Sequence, residues 1–137
     1  MHSPTDIAHL ALDTLIVLGL VMLNGCFVAA EFAFVRIRAT QLDALVIRGH
    51  RRARVARAIV ANLNSFLSAT QLGITMTSLG LGWVGQPVFA SLLSPVLAAL
   101  HLESATLRDS ISFAVGFSAL TFLHISAGEL APKWAAI

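Results

Sequence analysis

Three long apolar runs, separated by polar segments, set the pattern of the chain. They extend from about residue 12 to 35, from 66 to 84 and from 111 to 130. Each run approaches or exceeds the roughly 20 apolar residues that a helix needs to cross a bilayer. We therefore predict an all-α membrane protein, in which residues 1–137 form a single transmembrane domain with three membrane helices.

A fourth apolar stretch, residues 87–100, is too short to span a bilayer. It contains Pro87 and Pro95, and proline interrupts the hydrogen bonds of a helix interior. We therefore predict a pair of short re-entrant or interfacial helices here. The second span is expected to end at turn-forming glycines just before Pro87, namely Gly80, Gly82 and Gly85.

Composition supports the membrane class. Hydrophobic residues make up 57% of the 137 residues and charged residues only 12%, whereas soluble domains carry about 25% charged residues. The mean hydropathy is +0.82. No nucleophile motif surrounds a serine and no glycine loop is placed to hold phosphate, so we expect neither an enzyme nor an organic cofactor.

The basic connection between the first two spans, residues 36–65, sets the orientation. It holds seven of the nine Lys and Arg residues. The positive-inside rule places such a segment in the cytoplasm. We therefore expect the N-terminus outside the cell and the C-terminus in the cytoplasm.

Apolar residues recur at near-helical spacing among these arginines. The pattern predicts a basic amphipathic juxtamembrane helix that lies on the inner leaflet and attracts anionic headgroups. Nucleic-acid binding is the alternative for any arginine cluster, but membrane topology alone accounts for this one. The predicted headgroup contacts are Arg48, Arg51, Arg52, Arg54 and Arg57.

Two carboxylates, Glu31 and Glu129, lie near the cytoplasmic ends of the first and third runs. An isolated charge in hydrocarbon costs roughly 2.5–3.5 kcal/mol on insertion scales, so such residues usually face a protein interior or a polar cavity. Because both runs cross in the same direction, we expect the two carboxylates to meet at one level. The alternatives are that Glu31 extends to the interface beside Arg36 and that Glu129 pairs with Lys133.

Polar residues of the three runs reach a common depth. Asn24 lies about 10 Å further outward than Glu31, at 1.5 Å per helical residue. We predict a polar site between the helices, where His124 is either a helix contact or a ligand. Its other predicted members lie on one face of the second run: Gln71, Thr75 and Ser78.

Small residues predict close contact between helices. They recur every fourth residue in the first and second runs, a spacing that lets membrane helices approach closely. We interpret these stripes as packing surfaces. The members are Gly25, Ala29 and Ala33 in the first run and Ala69, Gly73 and Thr77 in the second.

The segment from Gly128 to Lys133 carries the most specific chemistry. Pro132 cannot donate a backbone N–H to the carbonyl of Gly128, four residues earlier, so a helix break is expected at Pro132. A freed carbonyl beside the Glu129 carboxylate offers the hard oxygen ligands that Mg²⁺, Ca²⁺ or Na⁺ prefers. The alternative is an ordinary helix stop without a metal.

Three motifs resemble the membrane domain of the CorC and cyclin M (CNNM) divalent-metal transporters, called hemolysin-C-like in many bacteria. They begin at Asn24, Phe66 and Gly128, with the sequences NGCFVAAEFA, FLSATQLGIT and GELAPK. The resemblance implies a homodimer in the bacterial inner (plasma) membrane that exports Mg²⁺ in exchange for Na⁺. It also implies that Gly128 and Glu129 are metal ligands.

The chain departs from these relatives in two ways. Val28, Ala30 and Ile74 stand where many relatives carry polar residues, so we expect Thr75 and Ser78 to supply part of the metal shell. Relatives also continue into cytoplasmic CBS modules and a corC-type domain, and the sequence to Ile137 contains neither. We therefore expect either a fragment or a short member with a separate or missing CBS module, and a non-transporting membrane anchor or scaffold is the alternative function.

Overall fold

The structure is a computed structural model that describes residues 4–99 and 104–136, with side chains described for 7–99, 104 and 106–136. Six α-helices and one π-helical turn follow one another. These are α1 (Pro4–Arg36), α2 (Ala39–Ile47), α3 (Arg51–Ala61), α4 (Leu63–Ala99), α5 (Ala105–Leu123), the π-turn (His124–Leu130) and α6 (Ala131–Ala136). The described residues contain no strand, which confirms the all-α prediction.

Three segments are long and apolar enough to cross a bilayer: Ile7–Arg36, Leu63–Ala99 and Thr106–Ala136. The third consists of α5, the π-turn and α6 in direct succession. The prediction of three membrane helices plus short helices is therefore confirmed. The protein is a multi-pass membrane protein by the length and composition of these helices.

The core lies where α4 packs between α1 and α5. Its buried side chains come from all three spans, whereas many other large apolar residues of the same helices are exposed. A helix surrounded by lipid needs no polar outer face, so exposed leucine and phenylalanine are expected there. The core residues are Val17, Val21, Leu81, Val88 and Leu120.

The second span does not end where the sequence predicted. Helix α4 runs without interruption through Pro87 and Pro95, so the predicted short helix pair at 87–100 is wrong for residues 87–99; Leu100 lies outside the described residues. Membrane helices tolerate proline because neighbouring helices and local adjustment compensate the lost hydrogen bond. Here Gly85 and Val88, on either side of Pro87, are both buried, and Leu120 of α5 reaches the Gly85 backbone.

The third span also continues past its predicted end. Pro132 lies in α6, the helix that extends to Ala136. Before it, the helix widens into the π-turn, where the N–H of Ala131 bonds the carbonyl of Ser126 five residues earlier. The predicted helix break at Pro132 is thus a change of hydrogen-bond pattern rather than a stop, because the wider turn accommodates a residue without an N–H.

The basic connection forms two short helices instead of one. Chain direction changes at Gly49, whose φ of 85° lies in the left-handed region that glycine adopts without a steric penalty. The guanidinium of Arg57 then joins α3 to α2, since its Nε lies 2.7 Å from Asp43 Oδ1. The result is a helical hairpin, α2–α3, between the first two spans.

Candidate functional site

Asn24 joins the three membrane spans at one point. Its side chain, with 0% exposure, donates from Nδ2 to the carbonyl of Gly128 at 3.0 Å. Its Oδ1 accepts from the Thr77 hydroxyl at 2.8 Å. One amide therefore connects α1 to both the π-turn and α4, where a buried amide without partners would be costly.

Small residues let the helices meet around this junction. A Cβ added at Gly25 would lie 2.9 Å from Cγ of Pro132, and a Cβ at Gly73 would lie 2.6 Å from the Phe27 ring. Both contacts are closer than real side chains allow. The predicted packing role of these two glycines is confirmed. Pro132 packs against Gly25, and the Phe27 ring packs against Gly73.

The contact at Gly25 gives a stability prediction with a control on the same helix. Gly25→Ala is expected to lower the free energy of unfolding by about 1–2 kcal/mol, because the proline ring is fixed to the backbone and cannot rotate away. Gly19→Ala, where no atom lies within 4 Å of the added Cβ, should be neutral or slightly stabilising, since alanine favours helix. Unfolding of both variants in mixed micelles measures the difference, and equal stability would contradict the packing assignment.

Glu31 and Glu129 line one cleft of about 280 Å³ between α1 and the third span. Val28, Phe32, Ile74, Leu130 and Lys133 complete its lining. The expectation that the two carboxylates reach the same level is therefore met. Val28 and Ile74 add hydrocarbon to the wall, so the charged groups of the cleft are the two carboxylates and the Lys133 ammonium, and the carboxylates outnumber the cation.

The Glu129 carboxylate approaches a histidine side chain. Its Oε1 lies 3.7 Å from Nε2 of His124, and the Glu129 side chain is 44% exposed. The same Nε2 is 3.1 Å from the Ser78 hydroxyl. Lys133 lines the same cleft, but its Nζ lies 5.0 Å from the centroid of the Phe32 ring, a cation–π contact. The alternative pairing of Glu129 with Lys133 is not the arrangement observed.

Two predicted members of the polar site lie apart from it. The Thr75 hydroxyl bonds the carbonyl of Gln71 in its own helix at 2.8 Å, and both residues are exposed. Neither contributes to the lining of the carboxylate cleft. The polar contacts between helices join Asn24 to Gly128 and Thr77, and they join His124 to Ser78 and Glu129. Glu31 shares the cleft with Glu129.

Thr77 is the site residue that sequence reasoning missed. Its place in the small-residue stripe of the second run indicated packing only. The buried hydroxyl is also 2.9 Å from the carbonyls of Gly73 and Ile74, so its one proton has three acceptors to choose from, including Asn24. A threonine at the depth of Asn24 was the available signal, because a hydroxyl in hydrocarbon needs a partner.

The cleft offers carboxylate oxygens, from Glu31 and Glu129. The buried Gly128 carbonyl, which accepts from Asn24 at 3.0 Å, belongs to the residue that directly precedes Glu129. Among the described residues, no three His, Cys, Asp or Glu side chains are grouped as a metal site. A cation here would therefore depend on mixed carboxylate, carbonyl, hydroxyl and water ligands, which suit Mg²⁺ better than Zn²⁺.

Comparison with known proteins assigns the family. The chain is 47% identical to UPF0053 protein YhdT of Bacillus subtilis (strain 168), over 92% of the chain and 27% of that protein. It is 44% identical to UPF0053 protein YrkA, over 86% of the chain and 27% of that protein. UPF0053 protein YugS is 42% identical, over 93% of the chain and 30% of that protein. Both YrkA and YugS come from the same organism, and the chain spans less than a third of the length of all three relatives.

A family model describes the same region. Residues 15–137 match the cyclin M transmembrane N-terminal domain. This agrees with the resemblance carried by the three motifs and with the three membrane-length helices. The protein belongs to the cyclin M (CNNM) family, and its residues 15–137 are that family's transmembrane N-terminal domain.

Proposed function

We propose that this membrane domain transports a hard cation out of the cytoplasm in exchange for Na⁺, and that Mg²⁺ is the first candidate for this cation. The observation that supports the proposal is the shared cleft of Glu31 and Glu129. Two carboxylates beside a buried backbone turn give a cation a negatively charged site inside the helix assembly. Intramembrane acidic residues in such positions usually mark ion pathways.

Each residue of the site receives a role in this proposal. Glu129 and the Gly128 carbonyl bind the cation directly, and Ser78 adds a hydroxyl once it leaves His124. Asn24 orients the Gly128 carbonyl through its amide, 3.0 Å away. Glu31 is the second carboxylate of the cleft and acts as its gate. Thr75, which bonds its own helix, is left out of the metal shell.

Location and assembly belong to the same proposal. The arginine-rich connection favours a cytoplasmic position for α2–α3, with the N-terminus outside and the C-terminus inside a bacterial inner membrane. A homodimer and a cytoplasmic CBS module are the partners that the family resemblance implies. We propose both the homodimer and the CBS module as partners of this chain.

A non-transporting membrane anchor or scaffold is the second candidate. The observation in its favour is the buried junction of Asn24, Thr77 and Gly128, which joins the three spans through hydrogen bonds between protein groups. In that case the carboxylates would serve only helix assembly, and adding a cation would not change the stability of the fold.

Cation-dependent stability separates the two candidates. A ligand that binds only the folded chain stabilises it by RT ln(1 + [L]/Kd), which is about 1.4 kcal/mol at ten times Kd. We expect MgCl₂ to raise the unfolding midpoint of the detergent-purified chain by a few degrees relative to choline chloride at equal ionic strength. NaCl is titrated in parallel.

Two variants make this test specific to the cleft. Glu31→Gln with Glu129→Gln should abolish the Mg²⁺ effect while leaving the chain folded. Asp13→Asn removes a carboxylate from the same span as Glu31, outside the cleft, and should retain the effect. An unfolding midpoint that stays constant throughout the Mg²⁺ titration of the unmodified chain would favour the anchor.

A further inference from the structure

The α2–α3 hairpin holds a second cleft, remote in sequence from the carboxylates. This groove of about 460 Å³ has almost entirely apolar walls and a cationic rim. Its walls are Leu42, Leu45, Ala53 and Ala56, and its rim is formed by Arg51 and Arg52. His50, which precedes α3, lies beside this rim. The groove thus combines an apolar trough with two arginines that are consecutive in the chain.

The hairpin presents this groove as a fixed surface. Leu42 and Ala53 are buried, one on each helix. The 2.7 Å bond between Arg57 and Asp43 links the two helices. Of the five arginines predicted to contact headgroups, Arg57 is therefore the one engaged in this ion pair.

The remaining arginines divide into two pairs. Arg51 and Arg52 border the groove, while Arg48 and Arg54 are absent from its lining. All four are exposed. The N-terminal end of α3 lies at the same rim as Arg51 and Arg52, and its helix dipole favours negative charge there. An anion is therefore attracted to one end of the groove more than to the hairpin as a whole.

We propose that this groove binds one anionic glycerophospholipid of the cytoplasmic leaflet. The phosphate lies against Arg51 and Arg52, and an acyl chain follows the apolar trough. Two further residues of the hairpin favour a lipid over an acidic peptide as the occupant. Ile47 and Val55 are 86% and 62% exposed, and exposed apolar side chains beside arginines are typical of a helix at the membrane interface.

Lipid titration of the full detergent-purified chain tests the site. The probes are dioleoyl phosphatidylglycerol and dioleoyl phosphatidylcholine, with binding followed by native mass spectrometry. Near an anionic surface each arginine raises the affinity about fivefold, so two arginines together raise it about thirtyfold. We expect Arg51→Gln with Arg52→Gln to lose roughly that factor for phosphatidylglycerol. Arg48→Gln with Arg54→Gln removes the same charge and should lose less than about threefold.

A second pair of variants tests the acyl trough. Ala56→Leu extends a side chain into the groove and should weaken phosphatidylglycerol binding, whereas Ala58→Leu, exposed on the same helix and outside the groove, should not. Equal losses for the two arginine pairs would show diffuse attraction and overturn the proposal. So would equal binding of phosphatidylcholine, equally tight binding of glycerol 3-phosphate, or binding of an acidic helical peptide where phosphatidylglycerol fails to bind.

Discussion

Glu129→Gln is expected to reduce Mg²⁺ flux into or out of proteoliposomes by more than about 100-fold. Glutamine keeps the length and hydrogen-bonding capacity of the side chain and removes its charge, so the variant isolates the contribution of the carboxylate. Even residues that only support a metal ligand usually cost 10–100-fold when changed. A residue that binds the cation itself should cost at least as much.

Folding of this variant should be unaffected in the absence of Mg²⁺. The Glu129 side chain is 44% exposed, and its Oε1 lies 3.7 Å from Nε2 of His124. Loss of so long and exposed a contact changes stability little. A normal unfolding midpoint together with lost flux therefore assigns the defect to the cation site and not to misfolding.

Two other carboxylates serve as comparisons in the same vesicles. Glu31→Gln should reduce flux less than Glu129→Gln, because Glu31 lies in the cleft but away from the Gly128 carbonyl in sequence. Asp13→Asn changes a half-buried carboxylate outside the cleft and should retain flux within about twofold, as expected for a substitution away from the site. Flux of Glu129→Gln within the same twofold range would remove Glu129 from the list of ligands.

Helix direction and depth were predictable from the sequence. The first and third spans cross in the same sense, and this alone placed Glu31 and Glu129 at one level, where they share a cleft. Asn24 was likewise placed at the depth of Ser78 and His124. Such predictions rest on the fixed rise of 1.5 Å per residue, which does not depend on packing.

Helix rotation and helix interruption were less predictable. Thr75 and Ser78 share a face in sequence, yet only Ser78 reaches His124, because packing against α1 and α5 decides which part of a polar face turns inward. Proline rules predicted stops at Pro87 and Pro132, and both helices continue. Those rules describe helices in water, whereas buried neighbours such as Leu120 and Gly25 hold these segments in place.

The π-turn had no sequence signal beyond Pro132, which lies just after it in α6. A π-turn changes the rotation of everything that follows it, and π-turns occur frequently at functional sites. Here it spans His124 to Leu130, so it contains both the histidine and the glutamate of the site. His124 and Glu129 are five residues apart, which is close to one turn of a π-helix. This spacing brings their side chains together on one face of the turn.

Asn24→Leu should be the most destabilising of the substitutions considered, by about 2–3 kcal/mol. Leucine branches at Cγ as asparagine does and is more apolar, so a simple hydrophobic account would predict a gain. Instead, the Gly128 carbonyl would lose its donor at 3.0 Å, and an unsatisfied buried polar group costs about 1–3 kcal/mol. Leucine is also larger than asparagine and must fit a position that is 0% exposed, which adds strain.

A double-mutant cycle with Thr77→Val measures the junction itself. Thr77→Val alone should cost less than Asn24→Leu, because it leaves the bond to Gly128 intact. The Thr77 hydroxyl has alternative acceptors in the carbonyls of Gly73 and Ile74, so the Asn24–Thr77 coupling should be about 0.6–1.7 kcal/mol, the range for hydrogen bonds between membrane helices. Strictly additive losses would show that the two side chains do not share a bond.

Since Asn24 orients the carbonyl proposed to bind the cation, Asn24→Leu should also weaken Mg²⁺-dependent stabilisation, whereas Thr77→Val should largely preserve it.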